Sequence, residues 1–226
     1  MREIPPFSWQ ATNGWIVLSG RVDSLSEIRA RALSRCDASG AIAYISLAED
    51  LGDALMDDMA ELGATTGYLV DLEEADNNEV YERLSSAAMI VIEAERPYED
   101  LLPLLRGTAL HAMKEALNRG SLILLEAAAA ATAGQYILDS AGEIAAGLGL
   151  LQNALIVANT LAIDDSSLLT SVRLQMADTT FVGLPPGSAL ALGPEGAIET
   201  WGERQVSISL GNLAGSSVEI ERYWAG

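Results

Sequence analysis

The chain has 226 residues, half of them apolar, and carries 32 acidic side chains against 13 basic ones for a formal net charge of −19. So negative a surface repels nucleic acid and anionic membranes and excludes both as partners. The single cysteine, Cys36, excludes an internal disulfide and a cysteine metal cluster. The opening MREIPPFSWQ has no apolar signal core. The longest uncharged stretch, 147–163, is broken by Gln152, Asn153, Asn159 and Thr160 and falls short of a membrane span. The expected location is cytoplasmic, and with no Pro/Gly/Ser-rich linker residues 1–226 read as one domain.

In chain order, apolar runs alternate with helical patterns, the rhythm of a parallel sheet covered on both faces. WIVLS at 15–19 is the first strand. Ser24 with Glu27 reads as a capping box opening a helix whose inner residues are Ile28 and Leu33. AIAYISL (41–47) is a second strand, 51–62 a helix closed by Gly63, TTGYLVDL (65–72) a third strand and 77–86 a helix. AMIVI (88–92) is a fourth strand, followed by helices over 98–105 and 108–118. LILL at 122–125 is a strand buried on both faces, and the alanines at 127–131 open a helix. GLGLL (147–151) marks a turn, ALIVA (154–158) a strand and 164–176 a helix, with Asp164 or Asp165 near its start. From Thr179 short strands separated by PPG and GPEG turns read as an antiparallel meander extending one edge of the parallel sheet. The expected plan is an N-terminal arm (1–13), a parallel α/β core (14–178) and an antiparallel β extension (179–226).

The junction 120–134, GSLILLEAAAAATAG, is where an α/β enzyme mounts a nucleophile on a strained turn. Here the turn offers Glu126 and alanines in place of Ser or Cys. The only histidine, His111, falls inside a helix and is read as structural.

The succession WIVLSG, LGDALMDDMAELGATTGYLVDL, DNNEVYERLSSAAMIVIE, LLRGTALHAMKEALNRGSLIL, GLGLLQNALIV and FVGLPPGSALALGPEGAIETWG resembles the cyanophycinase and aspartyl dipeptidase family of serine peptidases, from Gly14 to Gly211. The resemblance implies a three-layer α/β/α sandwich with a mostly parallel sheet, flavodoxin-like or class I glutamine amidotransferase-like, often dimeric. In that family a serine in a Gly-Thr-Ser-Ala-Gly elbow attacks the peptide bond, helped by a histidine on a later strand.

Each position that would do chemistry departs from that pattern. Ala127 stands where the serine belongs, flanked by Leu125 and Ala129 in place of glycines; Thr160 takes the place of the histidine, and Pro185 and Pro186 that of an Asp-Glu pair. The family's glycine-rich turn before the elbow strand is replaced by Glu93–Arg96. Loss of the nucleophile alone costs about a millionfold in rate in a serine protease. Alanines in place of turn glycines are expected to relax the elbow and lengthen its helix.

The carboxyl ends of the expected strands carry Asp23, Glu49, Asp50, Asp71, Glu93, Glu95 and Glu126. They form no spaced metal motif and read first as ordinary acidic loops. The alternative is a carboxylate-rich crevice, with Glu93, Glu95, Glu126 and Asp23 its candidate residues, binding a cationic peptide or a divalent metal as an enzyme or sensor. Aromatic residues gather at the ends, Phe7, Trp9 and Trp15 at one and Trp201, Tyr223 and Trp224 at the other, and the segment IPPFSW either clasps a second subunit or packs on its own domain. The expected function is that of a catalytically inactive peptidase-like protein with a structural, binding or regulatory role. It would be a homodimer, acting beside an active relative or a cationic peptide, with no cofactor and no metal.

Overall fold

The computed structural model describes residues 7–9, 13–36, 40–47, 52–139, 141–161, 167–210 and 217–219. After β1 (Ser8–Trp9) come β2 (Trp15–Ser19), α1 (Glu27–Arg35), β3 (Ile42–Ser46), α2 (Gly52–Glu61), β4 (Gly67–Leu69) and α3 (Asn77–Ser86). Then follow β5 (Met89–Ala94), α4 (Tyr98–Leu105), α5 (Thr108–Arg119), β6 (Leu122–Ala127) and the short α6 (Ala128–Thr132). The later elements are β7 (Gly134–Leu138), β8 (Ile144–Ala146), β9 (Leu151–Ala158), α7 (Ser167–Gln175), β10 (Thr180–Leu184), β11 (Ser188–Leu192), β12 (Ile198–Gly202), β13 (Ser207–Ser209) and β14 (Ser217–Glu219).

Helix ends follow side-chain chemistry. Asp76 starts α3 by accepting from the amides of Asn78 and Glu79, and Gly120 ends α5 in the left-handed region at φ 104°. The cap of α1 is Ser26, which accepts from the Arg29 amide, rather than Ser24. Ser24 and Leu25 are taken up by a turn, and the helix starts after it.

Two sheets result. The first runs β12-β11-β2-β6-β5-β3-β4; β2, β6, β5, β3 and β4 are parallel, and β11 and β12 close one edge antiparallel. The second runs β14-β13-β10-β9-β7-β8 with β1 beside β9, and its central strands β10, β9 and β7 are parallel. Alternate residues of the first sheet face two cores. Val17, Tyr44, Val91 and Leu124 meet Ile28, Ala32, Leu55 and Met59 of α1 and α2. On the other face Leu18, Ile45, Ile92 and Leu125 share a core with α3, α4, α5 and α6 that continues into Ile137, Ile156 and Val182 of the second sheet. Helix α7 covers the far side of that sheet, placing Leu169 and Val172 on Leu155 and Phe181. The architecture is a mostly parallel α/β sandwich of the flavodoxin-like kind. Each fully buried Leu, Ile, Val, Met or Phe contributes about 1.5–3 kcal/mol.

Beyond Thr180 the chain divides between both sheets instead of extending one edge. β10 and β11 are buried at every residue, as strands with neighbours on both sides must be. β10 lies parallel to β9, and the turn at Pro185–Gly187 carries the chain across to pair β11 with β2. β7 and β8, absent from the sequence reading, fill the space after α6. The described part of the arm packs on its own domain: Phe7 is buried, and the Trp9 indole donates to the Gly193 carbonyl at 3.1 Å. Tyr223, Trp224, Glu49, Asp50, Asp164 and Asp165 lie outside the described residues. Among those described, no helix is long and apolar enough to cross a membrane.

At Gly20, just beyond β2, an added Cβ would lie 2.3 Å from the Pro185 carbonyl oxygen. Backbone cannot yield as a side-chain tip does. Gly20→Ala is therefore expected to lower stability by about 1–3 kcal/mol, read by urea denaturation.

Candidate functional site

Four adjacent parallel strands end in register. Ser19 of β2 pairs with Glu126 of β6, Glu126 with Glu93 of β5, and Glu93 with Ser46 of β3. Paired residues in a parallel sheet share a face, so these side chains form one row beneath α1 and α2. Into it α1 delivers Arg29, only 4% exposed. Its Nε donates to Glu126 Oε1 at 3.0 Å and its Nη2 to Glu126 Oε2, a two-pronged clamp. Nη2 also reaches Glu93 Oε1 at 3.2 Å, and Nη1 donates to Asp58 Oδ2 of α2 at 2.7 Å.

The cluster sets three carboxylates against one guanidinium. Burial pushes the Glu126 carboxyl above the usual range; the Arg29 contacts oppose that shift, and the neighbouring Glu93 and Asp58 add to it. Burial works against the charge on Arg29, but hydrogen bonds and charge from Glu126, Asp58 and Glu93 prevail and hold its pKa above the ordinary value. At the two ends of the row the hydroxyls of Ser19 and Ser46 are buried without a hydrogen-bond partner among the described residues.

On the opposite face β6 runs into α6 through Ala127, at φ 53° and ψ −120°. Gly107 opens α5 with nearly the same angles, φ 63° and ψ −122°. Only one of the two carries a Cβ. A non-glycine residue held in such a region costs about 1–3 kcal/mol, so the elbow is not relaxed by its alanines and α6 is not long. β6 is paired through Ala127 to Ala94, and Ala129, Ala130 and Ala131 are buried. Chain direction must reverse within one residue whatever occupies it.

The three positions mapped from the peptidase pattern come to one end of the molecule. Ala127 follows Glu126, the partner of Ser19, and so flanks Gly20. Thr160 follows Asn159, whose Oδ1 accepts from the Arg21 amide, and Pro186 follows Pro185, which abuts Gly20. Of the candidate carboxylates, Glu93 and Glu126 meet around Arg29, whereas Glu95 pairs with Arg21 at 3.2 Å on the surface. Asp23 lines a separate pocket of about 300 Å³ with Arg21, Glu27, Pro186, Glu203 and Arg204. Among the described residues, no group of three or more His, Cys, Asp or Glu is arranged to hold a metal ion. His111 stacks on Tyr81 of α3, 5.6 Å between ring centroids.

Sequence reasoning missed Arg29 and Asp58. A signal existed in the helical spacing, which puts Arg29 beside Ile28 and Ala32 on the inner face of α1, and in two buried strands that each reach a glutamate at the same register.

Three consequences are measurable. Arg29→Ala leaves the carboxylates without their counter-charge and is expected to cost about 3–5 kcal/mol in denaturant melts. Ala127→Gly relieves the elbow and is expected to be neutral to stabilising, by up to about 1 kcal/mol, while Gly107→Ala destabilises by a similar amount. Glu126 binds its proton more tightly folded than unfolded. Its contribution is complete below the ordinary carboxyl value of about 4.3 and is lost as pH rises through its higher folded value. Thermal melts across that window should therefore show a steeper loss of stability in the native protein than in Glu126→Gln.

No protein-family model matches the sequence, and no curated protein does. Solved structures do match in shape. A peptidase from an acI-B1 Actinobacterium superposes with a TM-score of 0.70 at 18% identity, over 91% of this chain and 96% of its own. A putative peptidase E protein from Listeria monocytogenes EGD-e superposes with a TM-score of 0.64 at 13% identity, over 84% of this chain and 98% of its own. At such identities the likeness is one of fold: the chain has the sandwich of these peptidases.

Proposed function

We propose that the protein is a catalytically inactive, peptidase-like protein of the cytoplasm that serves a structural, binding or regulatory role as a homodimer. The observation that carries this reading is Ala127. It sits, 7% exposed, at the strained strand-to-helix turn where the related pattern places a nucleophilic serine. A methyl group cannot attack a carbonyl, and the geometry that would expose a nucleophile is present with none to expose. The nearest buried hydroxyl in register, Ser19, is fully enclosed on the other face beneath α1 and α2. The only imidazole of the chain is stacked between α3 and α5, so no histidine base serves that end of the sheet. Glu93 and Glu126 are engaged by Arg29 of the same chain.

Leu161, Leu168 and Leu174, on and before α7, are 70%, 47% and 79% exposed. The most exposed of them on α7, Leu174, is the contact chosen to test association with a second copy.

Incubating the purified chain with aspartyl dipeptides, including aspartyl-arginine, and following amine release should give no turnover above the uncatalysed rate. Turnover that disappears on active-site titration with a serine-directed phosphonate would sink this reading. Sedimentation equilibrium is expected to give a mass twice that of the chain, reduced to the monomer in Leu174→Glu.

A further inference from the structure

The only Asn-Gly pair in the chain, Asn13 and Gly14, stands at the entrance to β2. Asn13 is exposed in a bend and Gly14 is buried. The Asn13 side chain reaches across to the end of α5, where its Nδ2 donates to the Asn118 carbonyl at 3.0 Å. Asn118 belongs to the last turn of that helix, whose carbonyls have no partner within it. Gly120 completes the stop in the left-handed region, and a Cβ built on it would lie 3.8 Å from the Asn13 carbonyl oxygen. Asn13 thus caps α5 from outside and ties the start of β2 to it.

The fold requires glycine at the next position. A Cβ on Gly14 would lie 2.1 Å from the Ser121 carbonyl oxygen and 2.9 Å from that of Leu117, backbone atoms that do not give way as a side-chain tip does. Trp15 donates its amide to the same Ser121 oxygen at 3.1 Å. Close packing therefore gives Asn13, a thermally labile residue type, the neighbour that hinders attack on its side chain least. With no Cβ, the Gly14 nitrogen can approach Asn13 Cγ closely, and its N–H has no partner among the described residues to hold it back.

We propose that Asn13 and Gly14 form a self-modifying site that records the age of the folded chain. The Gly14 nitrogen attacks Asn13 Cγ: the N–Cγ bond forms, the Cγ–Nδ2 bond breaks, and the Gly14 proton leaves with the side-chain nitrogen as ammonia. Water then opens the cyclic imide at either carbonyl, giving aspartate or isoaspartate. The reaction begins when Asn13 lets go of Asn118, so the docking of β2 on α5 sets its rate. Either product undoes that docking. Aspartate replaces the donor by an anion against the negative end of α5. Isoaspartate adds a main-chain carbon beside Gly14, where Ser121 leaves no room for a single further atom. The site is independent of whether the protein turns over any peptide.

Peptide mapping of the full chain aged at mildly alkaline pH tests it. The tryptic peptide Glu3–Arg21 should gain the mass difference between an amide and an acid, with fragment ions placing the change at Asn13 and an isoaspartate methyltransferase labelling part of it. In native buffer the gain should run about tenfold or more slower than in concentrated urea, as a site gated by local opening requires. Asn13→Gln, which would have to close a larger ring, should abolish it. Freshly made Asn13→Asp should reproduce the aged protein: both should melt below the unaged chain, and in both the Gly120 and Ser121 amides should exchange faster while Val182 in β10 keeps its protection. No gain at Asn13 in the folded chain by the time the urea sample has fully converted overturns the proposal. So do equal rates in buffer and urea, or native protection of Gly120 and Ser121 in Asn13→Asp.

Discussion

The arrangement at the carboxyl ends of the parallel strands depends on how a buried guanidinium is neutralised. Arg29 is nearly inaccessible and charged, so it can be placed only where acceptors converge. Convergence requires β5 and β6 to end in register, α1 to cross above them, and α2 to reach in from the side. Replacing a buried ion cluster by apolar residues is often neutral or stabilising, and the interaction is therefore better understood as a device of position than of stability. An apolar α1 could slide over the sheet. An Arg29 forked onto Glu126 fixes the helix in rotation and along its axis.

The same end carries backbone strain, and the pair Gly107 and Ala127 shows where it comes from. Both residues start a helix with almost identical angles, yet one opens a surface helix and the other a buried one of five residues in the middle of the fold. A strained turn after a central strand is commonly tied to the display of a nucleophile. Here it survives with no nucleophile. The constraint is topological: a strand paired on both sides, followed at once by a helix packed beneath the second sheet, admits no wider turn. Strain of this kind is thus compatible with catalysis without being evidence for it.

How much of this was legible follows from which signals are local. The alternation of aliphatic strands with amphipathic helices is written in periodicity, and Asn77–Ser86 and Tyr98–Leu105 fall where the spacing puts them. The alanine run marked a helix, but its length and the strain at Ala127 are set by β2, β5 and α4, residues distant in sequence. β7 and β8 escaped notice because GQYIL follows directly on that run without the usual turn residues. The sharing of the final strands between two sheets was hidden for a similar reason. Short apolar strands look alike whether they prolong an edge or fill a centre, and only pairing with β2 and β9 decides. Glu93 and Glu126 could be nominated as strand-end carboxylates; that they meet each other, and not Glu95 or Asp23, rests on Arg29, whose role no single sequence window contains.

Several local costs meet at the carboxyl ends of the parallel strands: Ala127 in a glycine's conformation, Leu25 exposed at positive φ, and, among the described residues, the unpartnered hydroxyls of Ser19 and Ser46 beside three carboxylates that share one guanidinium. Others lie elsewhere, as at the Ser207 hydroxyl and at Asn153 and Glu195, both at positive φ. Elsewhere the described cores are apolar and follow the period of their elements. In a sequence whose levels otherwise agree, such conflicts mark positions that long-range pairing fixes against local preference: Ala127 is placed by β5 and α6, and Asp58 by the one guanidinium that Glu93 and Glu126 share with it.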